Sequence, residues 1–288
     1  MSRHLRIDRL LTLSFFRHLR HVNGVGGAKF LPILMYHSIV DDYEDTVSYY
    51  GVTTGVARFS SHMEYLKSEG YHVLSMARVI EMLAKGGPCD SDMPCVAITF
   101  DDGYRDNFTN AFPILKTHGF PATIYLATAY VGDRRQAFKG RECLTWDEVL
   151  EMQHEGIEFG SHTVNHPDLR SLDGNRIRNE LSVSRDIIEQ KLGCPVKAFS
   201  YPYAFPEVDL EYVARLKNII AESGYASCVT TILGRVRAGD DPFLLKRLPV
   251  NSGDDVSFLQ AKILGAYDWM HGIQIFSKHI DRHRRNRA

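Results

Sequence analysis

Two patterns of apolar and polar residues alternate along most of the chain. Short apolar runs at Ile33–His37, Tyr71–Leu74, Cys95–Phe100, Ala122–Thr128, Ile157–Ser161, Ala198–Tyr201, Tyr225–Thr230 and Leu244–Val250 predict strands. Between them, Ser60–Glu69, Ala77–Lys85, Asn107–His118, Thr145–Glu155, Asn175–Leu192, Val208–Ser223 and Asp255–Trp269 have helix-like spacing. Thr145-Trp-Asp-Glu148 reads as a capping box that starts its helix. Gly70, Gly119, Gly156, Gly193 and Gly224 each follow a helix-like run, where a left-handed residue closes a helix. Strands that read as apolar on both faces and alternate with helices predict a parallel sheet. About eight of them in roughly 220 residues favour a closed barrel over an open doubly wound sheet.

Composition narrows the function classes without naming one. The 288 residues carry 34 basic and 35 acidic side chains, a formal charge of −1 that gives no general attraction to nucleic acid. No apolar run approaches the ~18 residues needed to span a bilayer. Five cysteines, an odd number without CxxC spacing, suggest neither a disulfide framework nor a cysteine zinc site, and reduced thiols are expected. The first twenty residues hold five Arg against one Asp, and as a helix Leu5, Leu10, Leu11, Phe15 and Leu19 gather on one side. The last ten hold four Arg against one Asp. No clear secretory signal precedes the domain. The expectation is a cytoplasmic protein, with peripheral contact to an anionic inner-membrane face through its basic ends.

Candidate chemistry sits where strands end. Cys95–Phe100 runs into Asp101-Asp102-Gly103, two adjacent carboxylates that repel unless a cation or proton relieves them. Alone, this fits a polar turn with an Asp cap equally well. Ile157–Ser161 runs into His162-Thr-Val-Asn-His166-Pro. Histidines four apart on one helical turn can share a metal, and with one carboxylate they make a set that leaves open positions for water. Ala198-Phe-Ser-Tyr201-Pro202-Tyr203 places two tyrosines around a proline, an aromatic wall for a sugar ring or an aromatic core corner.

These motifs resemble the polysaccharide deacetylase family, also called NodB-homology or carbohydrate esterase family 4, in its short bacterial branch. The likeness spans roughly residues 31–250 and rests on Thr99-Phe-Asp-Asp-Gly103, His162-x3-His166-Pro167, Tyr201-Pro-Tyr203, the opening Leu34-Met-Tyr-His37, and Phe112-Pro-Ile-Leu-Lys with its following Gly-Phe-Pro-Ala-Thr123. The resemblance implies a distorted (β/α) barrel of seven or eight parallel strands in one domain. It also implies a divalent metal, usually Zn2+, and removal of N-acetyl or similar acyl groups from amino sugars. By position, Asp102, His162 and His166 would be the metal ligands and Asp101 the general base. The backbone N–H of Tyr203 would bind the oxyanion, with Tyr201 and Pro202 forming the rest of the wall.

Departures from the family pattern point to substitutes. Ser200 stands where the family often has an Arg that orients the base, Ala204 replaces a Gly, and no late Leu-x-His supplies a general acid. Arg247 is expected to pair with Asp101, and His37 either to protonate the leaving amine or to support the residues that line the site. The chain divides into an N-terminal basic extension (1–30), a barrel domain (31–252) and a C-terminal helix with basic tail (253–288). Val40–Tyr50 and Gly132–Arg141 are expected to rim a cleft for an amino-sugar glycan or lipid-linked precursor. The competing readings are an amidase for a non-carbohydrate amide and a catalytically silent glycan-binding relic.

Overall fold

The structure is a computed structural model that describes residues 6–17, 30–41, 51–87 and 93–285. Its central strands are β1 (Ile33–Tyr36), β2 (His72–Leu74), β3 (Cys95–Phe100), β4 (Thr123–Leu126), β5 (Glu158–Ser161), β6 (Ala198–Ser200), β7 (Ser227–Leu233) and β8 (Leu245–Pro249). Seven of them close a ring of parallel pairings in the order β1, β3, β4, β5, β6, β7, β8 and back to β1. The expected distorted (β/α) barrel therefore has seven staves, and β2 lies outside the ring.

The distortion has a local cause. β2 pairs with Cys95–Ala97, the first half of β3, while β4 pairs with Thr99 and Phe100 farther along. Because β1 holds the opposite edge from Ala97 to Phe100, β2 and β4 share one edge of β3 and split it by height. The turn after β2 then ties to the feet of neighbouring strands, Met76 N–H donating to Thr123 Oγ1 and Ala77 N–H to Glu158 Oε2.

Around the ring lie α2 (Val56–Ser68), α3 (Met76–Ala84), α4 (Phe112–His118), α5 (Trp146–His154), α6 (Gly174–Leu192), α7 (Leu210–Glu222) and α8 (Val256–Ile263), with α1 (Ile7–Leu11) before them and α9 (Met270–Arg285) after. The Thr145–Glu148 capping box forms, and all five helix-closing glycines have positive φ. The helix expected over Asp255–Trp269 is cut short at Ile263, where Leu264 and Gly265 (φ 86°) turn the chain. The helix expected over Asn107–His118 opens as a wide π turn at Asn107–Ala111.

Strand alternation sorts the core into two layers. Along β3, Val96, Ile98 and Phe100 join the large apolar layer between barrel and helices, whereas Cys95 and Ala97 join the smaller cluster of the barrel interior. Each fully buried Ile or Phe of the outer layer contributes about 1.5–3 kcal/mol. The inward parity continues through Thr99, whose hydroxyl donates to the Leu34 carbonyl at 2.7 Å, to Asp101.

One expectation changes here. Cys95 is disulfide-bonded, while Cys143, Cys194 and Cys228 are free. The expectation of reduced thiols therefore does not hold for Cys95. Residues 6–17 of the expected basic extension bond to one another and to residues between 251 and 260. Arg6 donates to Asp8, Asn251 and Asp254, Arg9 to Asp255, and Arg17 to Gln260. Leu5, Leu19, Cys89 and most of the expected rim loop at 40–50 lie outside the described residues. Among the described residues, no helix is long and apolar enough to cross a membrane.

Candidate active site

β3 and β5 deliver their chemistry to the same end of the ring through unusual backbone. Five described non-glycine residues have positive φ, and four of them, Asp102 (74°), Thr163 (71°), His166 (53°) and Tyr203 (60°), lie in the three motifs at this end. Such conformations cost about 1–3 kcal/mol each and persist only where surrounding structure holds them. Gly103 (φ 67°) follows Asp102, and a Cβ there would lie 2.8 Å from Leu126 Cδ2. The left-handed turn at Asp102 separates the paired carboxylates, sending Asp101 along the inward parity and Asp102 across the mouth.

The histidine motif is not one helical turn, which corrects the expectation drawn from its spacing. His162 and His166 sit on an irregular loop. Glu180 on α6 shapes it by accepting from the N–H groups of Val164 and Asn165 and from the Asn165 side chain. Thr163 Oγ1 accepts from His166 N–H at 2.9 Å. The left-handed residues at 163 and 166, rather than helical periodicity, bring the two rings together at 4.7 Å between centroids.

Asp102, His162 and His166 are all buried, and one ligand atom from each lies within 4.8 Å of the others. His162 Nε2 and His166 Nε2 approach Asp102 Oδ1 at 3.6 and 3.3 Å. Ligands ~2.1 Å from a tetrahedral ion sit ~3.4 Å apart, so these separations suit a metal. Two observations support the fit. Asp102 Oδ1 is buried without a hydrogen-bond partner among the described residues. His162 Nδ1 lies 2.7 Å from the Ser200 carbonyl, which can only accept, so the proton is on Nδ1 and the Nε2 lone pair faces Asp102. Burial raises the Asp102 carboxyl, but His166, His37 and His162 hold it well below the usual carboxylate range. Burial brings His162 down to about 4 despite the attraction of Asp101.

Asp101 sits beside this trio, 2% exposed, and Arg247 grips both its oxygens. The guanidinium donates from Nη1 to Oδ1 at 2.8 Å and from Nη2 to Oδ2 at 2.7 Å. Arg247 is fully buried on β8, its Nε bonded to the Thr230 carbonyl. Burial pushes the Asp101 carboxyl up, yet Arg247, His162 and His37 outweigh it and leave it at about 2. Ser200, at the position that departs from the family pattern, links the parts. Its hydroxyl donates to Asp101 Oδ1 at 3.1 Å and accepts from Arg247 Nη2 at 3.1 Å, while its carbonyl accepts from His162. The bridging role of Ser200 was not legible in the sequence, where serine carries no such signal.

His37 Nε2 lies 4.0 Å from Asp101 Oδ2. Burial lowers its imidazole below the ordinary value, against the pull of Asp101 and Asp102. The residues of the expected aromatic wall differ in exposure. Tyr201 is 1% exposed and packs on Phe205, and Pro202 is buried. Burial of the strand continuation takes them into the core. Tyr203 remains, 47% exposed, its ring edge-on to His166 at 4.6 Å. The expected rim segment 132–141 adds Phe138, 5.1 Å from the His166 ring, on a short hairpin (Ala137–Phe138 with Arg141–Glu142). At the hairpin tip, Lys139 Nζ stands over the rings of Phe138 and Tyr203 at 4.5 and 5.1 Å.

A parallel (β/α) barrel with two carboxylates and two histidines converging at its C-terminal mouth has the layout of a hydrolase. Comparison with known proteins specifies which kind. The pattern that defines the family described as polysaccharide deacetylase matches residues 90–225. YxkH of Bacillus subtilis (strain 168), whose name assigns it to the polysaccharide deacetylases, is 30% identical over 82% of this chain and 75% of its own length. A poly-beta-1,6-N-acetyl-D-glucosamine N-deacetylase of Staphylococcus aureus is 28% identical over 53% of this chain and 54% of its own. Among solved structures, the Streptococcus pyogenes deacetylase PplD in complex with acetate superposes with a TM-score of 0.72 at 26% identity, covering 82% of this chain and 99% of that one. IcaB from Ammonifex degensii shares the fold, with a TM-score of 0.66 at 23% identity over 82% and 97% of the two chains. The chain belongs to the polysaccharide deacetylase family and is an enzyme of that class.

Proposed function

We propose that this protein is a metal-dependent N-deacetylase that removes acetyl groups from an amino sugar in a glycan or lipid-linked glycan precursor. The observation that carries the reading is Asp101, a buried carboxylate kept ionised by Arg247 immediately beside Asp102, His162 and His166. A glycan-binding relic has no use for an ionised carboxylate outside the ligand set. The relatives named as deacetylases, one on poly-beta-1,6-N-acetyl-D-glucosamine and one with acetate in its structure, support the substrate class.

Asp102, His162 and His166 would hold the divalent metal, which fits Zn2+ by its mixed nitrogen and oxygen donors. Such an ion acts as a Lewis acid on water and on the amide carbonyl, which matters because a carboxylate near 2 is by itself a weak proton acceptor. Asp101 accepts the proton of the attacking water. Arg247 is a positioning residue that holds the Asp101 plane with two parallel bonds, in the place the family often gives to another arginine. The proton Asp101 takes from water must end on the departing amine, and His37, neutral by burial and 4.0 Å from Asp101 Oδ2, is placed to relay it there. The Tyr203 N–H, which makes no hydrogen bond among the described residues, is available to the oxyanion, while its ring and that of Phe138 flank the sugar.

The test is acetate release from oligomers of β-1,6-linked N-acetylglucosamine, chitooligosaccharides and a lipid-linked N-acetylamino sugar, with and without a chelator. Release from one class, abolished by chelation and restored by Zn2+, is expected. No release from any class by metal-replete protein would refute the reading.

A further inference from the structure

Two helical elements of this protein are packed inside out. On α1 and the turns that follow it, Asp8 and Thr12 are buried, whereas Ile7, Leu10, Leu11 and Phe15 are exposed, Ile7 by 62% and Phe15 by 55%. The inward face is fastened by polar contacts: Arg6 to Asp8 and Asp254, Tyr267 OH to Asp8, and Trp269 Nε1 to Thr12 Oγ1. α9 repeats the inversion. Its Gln274 accepts from Leu233 N–H and donates to the Thr231 carbonyl, and His271 and Lys278 both pair with Glu207. Its opposite face presents Ile273, Phe276 and Ile280 to solvent, Phe276 by 68%.

These two faces are continuous. Phe15 meets Phe16 at 5.2 Å, and Phe16 stacks on Trp269 at 4.9 Å. From Trp269, the residues at 273, 276 and 280 recur at spacings of four, three and four, a single stripe along a helix. An amphipathic helix normally turns its apolar stripe to the core. Here polar partners share the inward face with Leu13, Trp269 and Met270, and a second apolar surface is left outside.

We propose that α1 and α9 together form a docking face for an anionic lipid surface. Charge selects lipid over a second copy of this chain. Beyond the stripe the chain continues as His279-Ile-Asp-Arg-His-Arg-Arg-Asn-Arg-Ala288, four arginines against one aspartate. An apolar stripe running into a basic segment matches an interfacial helix seated at acidic headgroups, whereas a second copy of that segment brings no excess of acid to meet its arginines. The face also adjoins the catalytic mouth. Glu207, which anchors α9, follows Tyr203 on the same loop, and Thr231, whose carbonyl accepts from Gln274, donates its hydroxyl to the Tyr203 carbonyl. Docking there brings the mouth near groups attached to the lipid surface. The surface is read from α1 and α9 alone and stands whether or not the deacetylase reading holds.

Co-sedimentation of the full chain with vesicles of phosphatidylcholine, and of phosphatidylcholine with phosphatidylglycerol, tests it. Wild type is expected to partition onto the anionic vesicles with a blue shift of Trp269 emission. The Ile273→Ser/Phe276→Ser pair is expected to lose binding by about tenfold or more while keeping its thermal unfolding midpoint. Phe15→Ser, on the other element, is expected to weaken binding independently. Arg284→Gln/Arg285→Gln is expected to remove the preference for phosphatidylglycerol. Wild type that stays in the supernatant with both vesicle types would overturn the proposal, as would wild-type binding by the Ile273→Ser/Phe276→Ser pair. A wild-type dimer that dissociates in that variant, with no vesicle binding, would instead make the stripe a self-interface and equally overturn it.

Discussion

Arg247 and Asp101 form a buried ion pair, and a double-mutant cycle measures what each does for the other. In Arg247→Met the carboxylate remains 2% exposed with no cation against it. Removing one partner of such a pair typically costs about 3–5 kcal/mol, because the other charge stays buried. At about 2–4 °C per kcal/mol for a domain of roughly this size, the melting midpoint should drop by roughly 6–20 °C. Asp101→Asn strands the guanidinium and should cost nearly as much. The double variant removes both charges, so its cost should fall short of the sum by about 2–4 kcal/mol. The pH dependence gives an independent sign. The Asp101 carboxyl is lowered from 3.8 to about 2 in the folded protein, so it contributes stability above pH 3.8 that is lost as pH falls through about 2. That contribution is about 2 kcal/mol. In Arg247→Met burial dominates, the folded value rises above 3.8, and the sign reverses: stability is then lost as pH rises. Urea unfolding in the presence of a chelator, across pH, reads both effects. Additive single costs, or an unchanged acid limb in Arg247→Met, would refute the reasoning.

Further perturbations probe the scaffold and the mouth. Gly160 on β5 lies so close to its neighbours that a Cβ would stand 2.6 Å from the Tyr125 ring and 2.7 Å from the Ala198 carbonyl. Gly160→Ala should therefore destabilise by about 2 kcal/mol or more in urea unfolding and reduce metal affinity by displacing His162. Buried His62, which accepts from Tyr36 OH and donates to the Asp254 carbonyl, is lowered from 6.5 to about 4. Its contribution is present above pH 6.5 and lost as pH falls towards 4, about 3 kcal/mol in unfolding free energy. His37→Ala should reduce kcat by about 100-fold or more with little change in KM, and wild-type kcat across the pH profile would remove His37 from catalysis.

Much of the architecture was legible because strand periodicity and glycine caps are local signals. The run Cys95–Phe100 coincides with β3 to the residue, and the order of strand ends already placed Asp101, Asp102, His162 and His166 on one rim. What escaped the sequence depends on distant partners. β2 reads as a stave, but only its pairing with the lower half of β3 shows that it stands outside the ring. The turn at His162–His166 is set by Glu180 on α6, so spacing alone suggested the wrong local geometry. Tyr201 and Tyr203 flank the same proline, yet one is buried and the other exposed, a distinction made by the left-handed backbone at Tyr203. The outward apolar stripe of α9 looks like a core stripe in sequence, because nothing local reveals that Gln274, His271 and Lys278 take the inward side.

The central claim is that an ionised Asp101 beside a metal held by Asp102, His162 and His166 performs deacetylation. Its most direct test compares acetate release by wild type and Asp101→Asn at equal, measured zinc content. The account predicts a stoichiometric ion in both proteins and a fall in kcat of about 100- to 10,000-fold in the variant. Comparable kcat in the two proteins, with the metal retained, would contradict it.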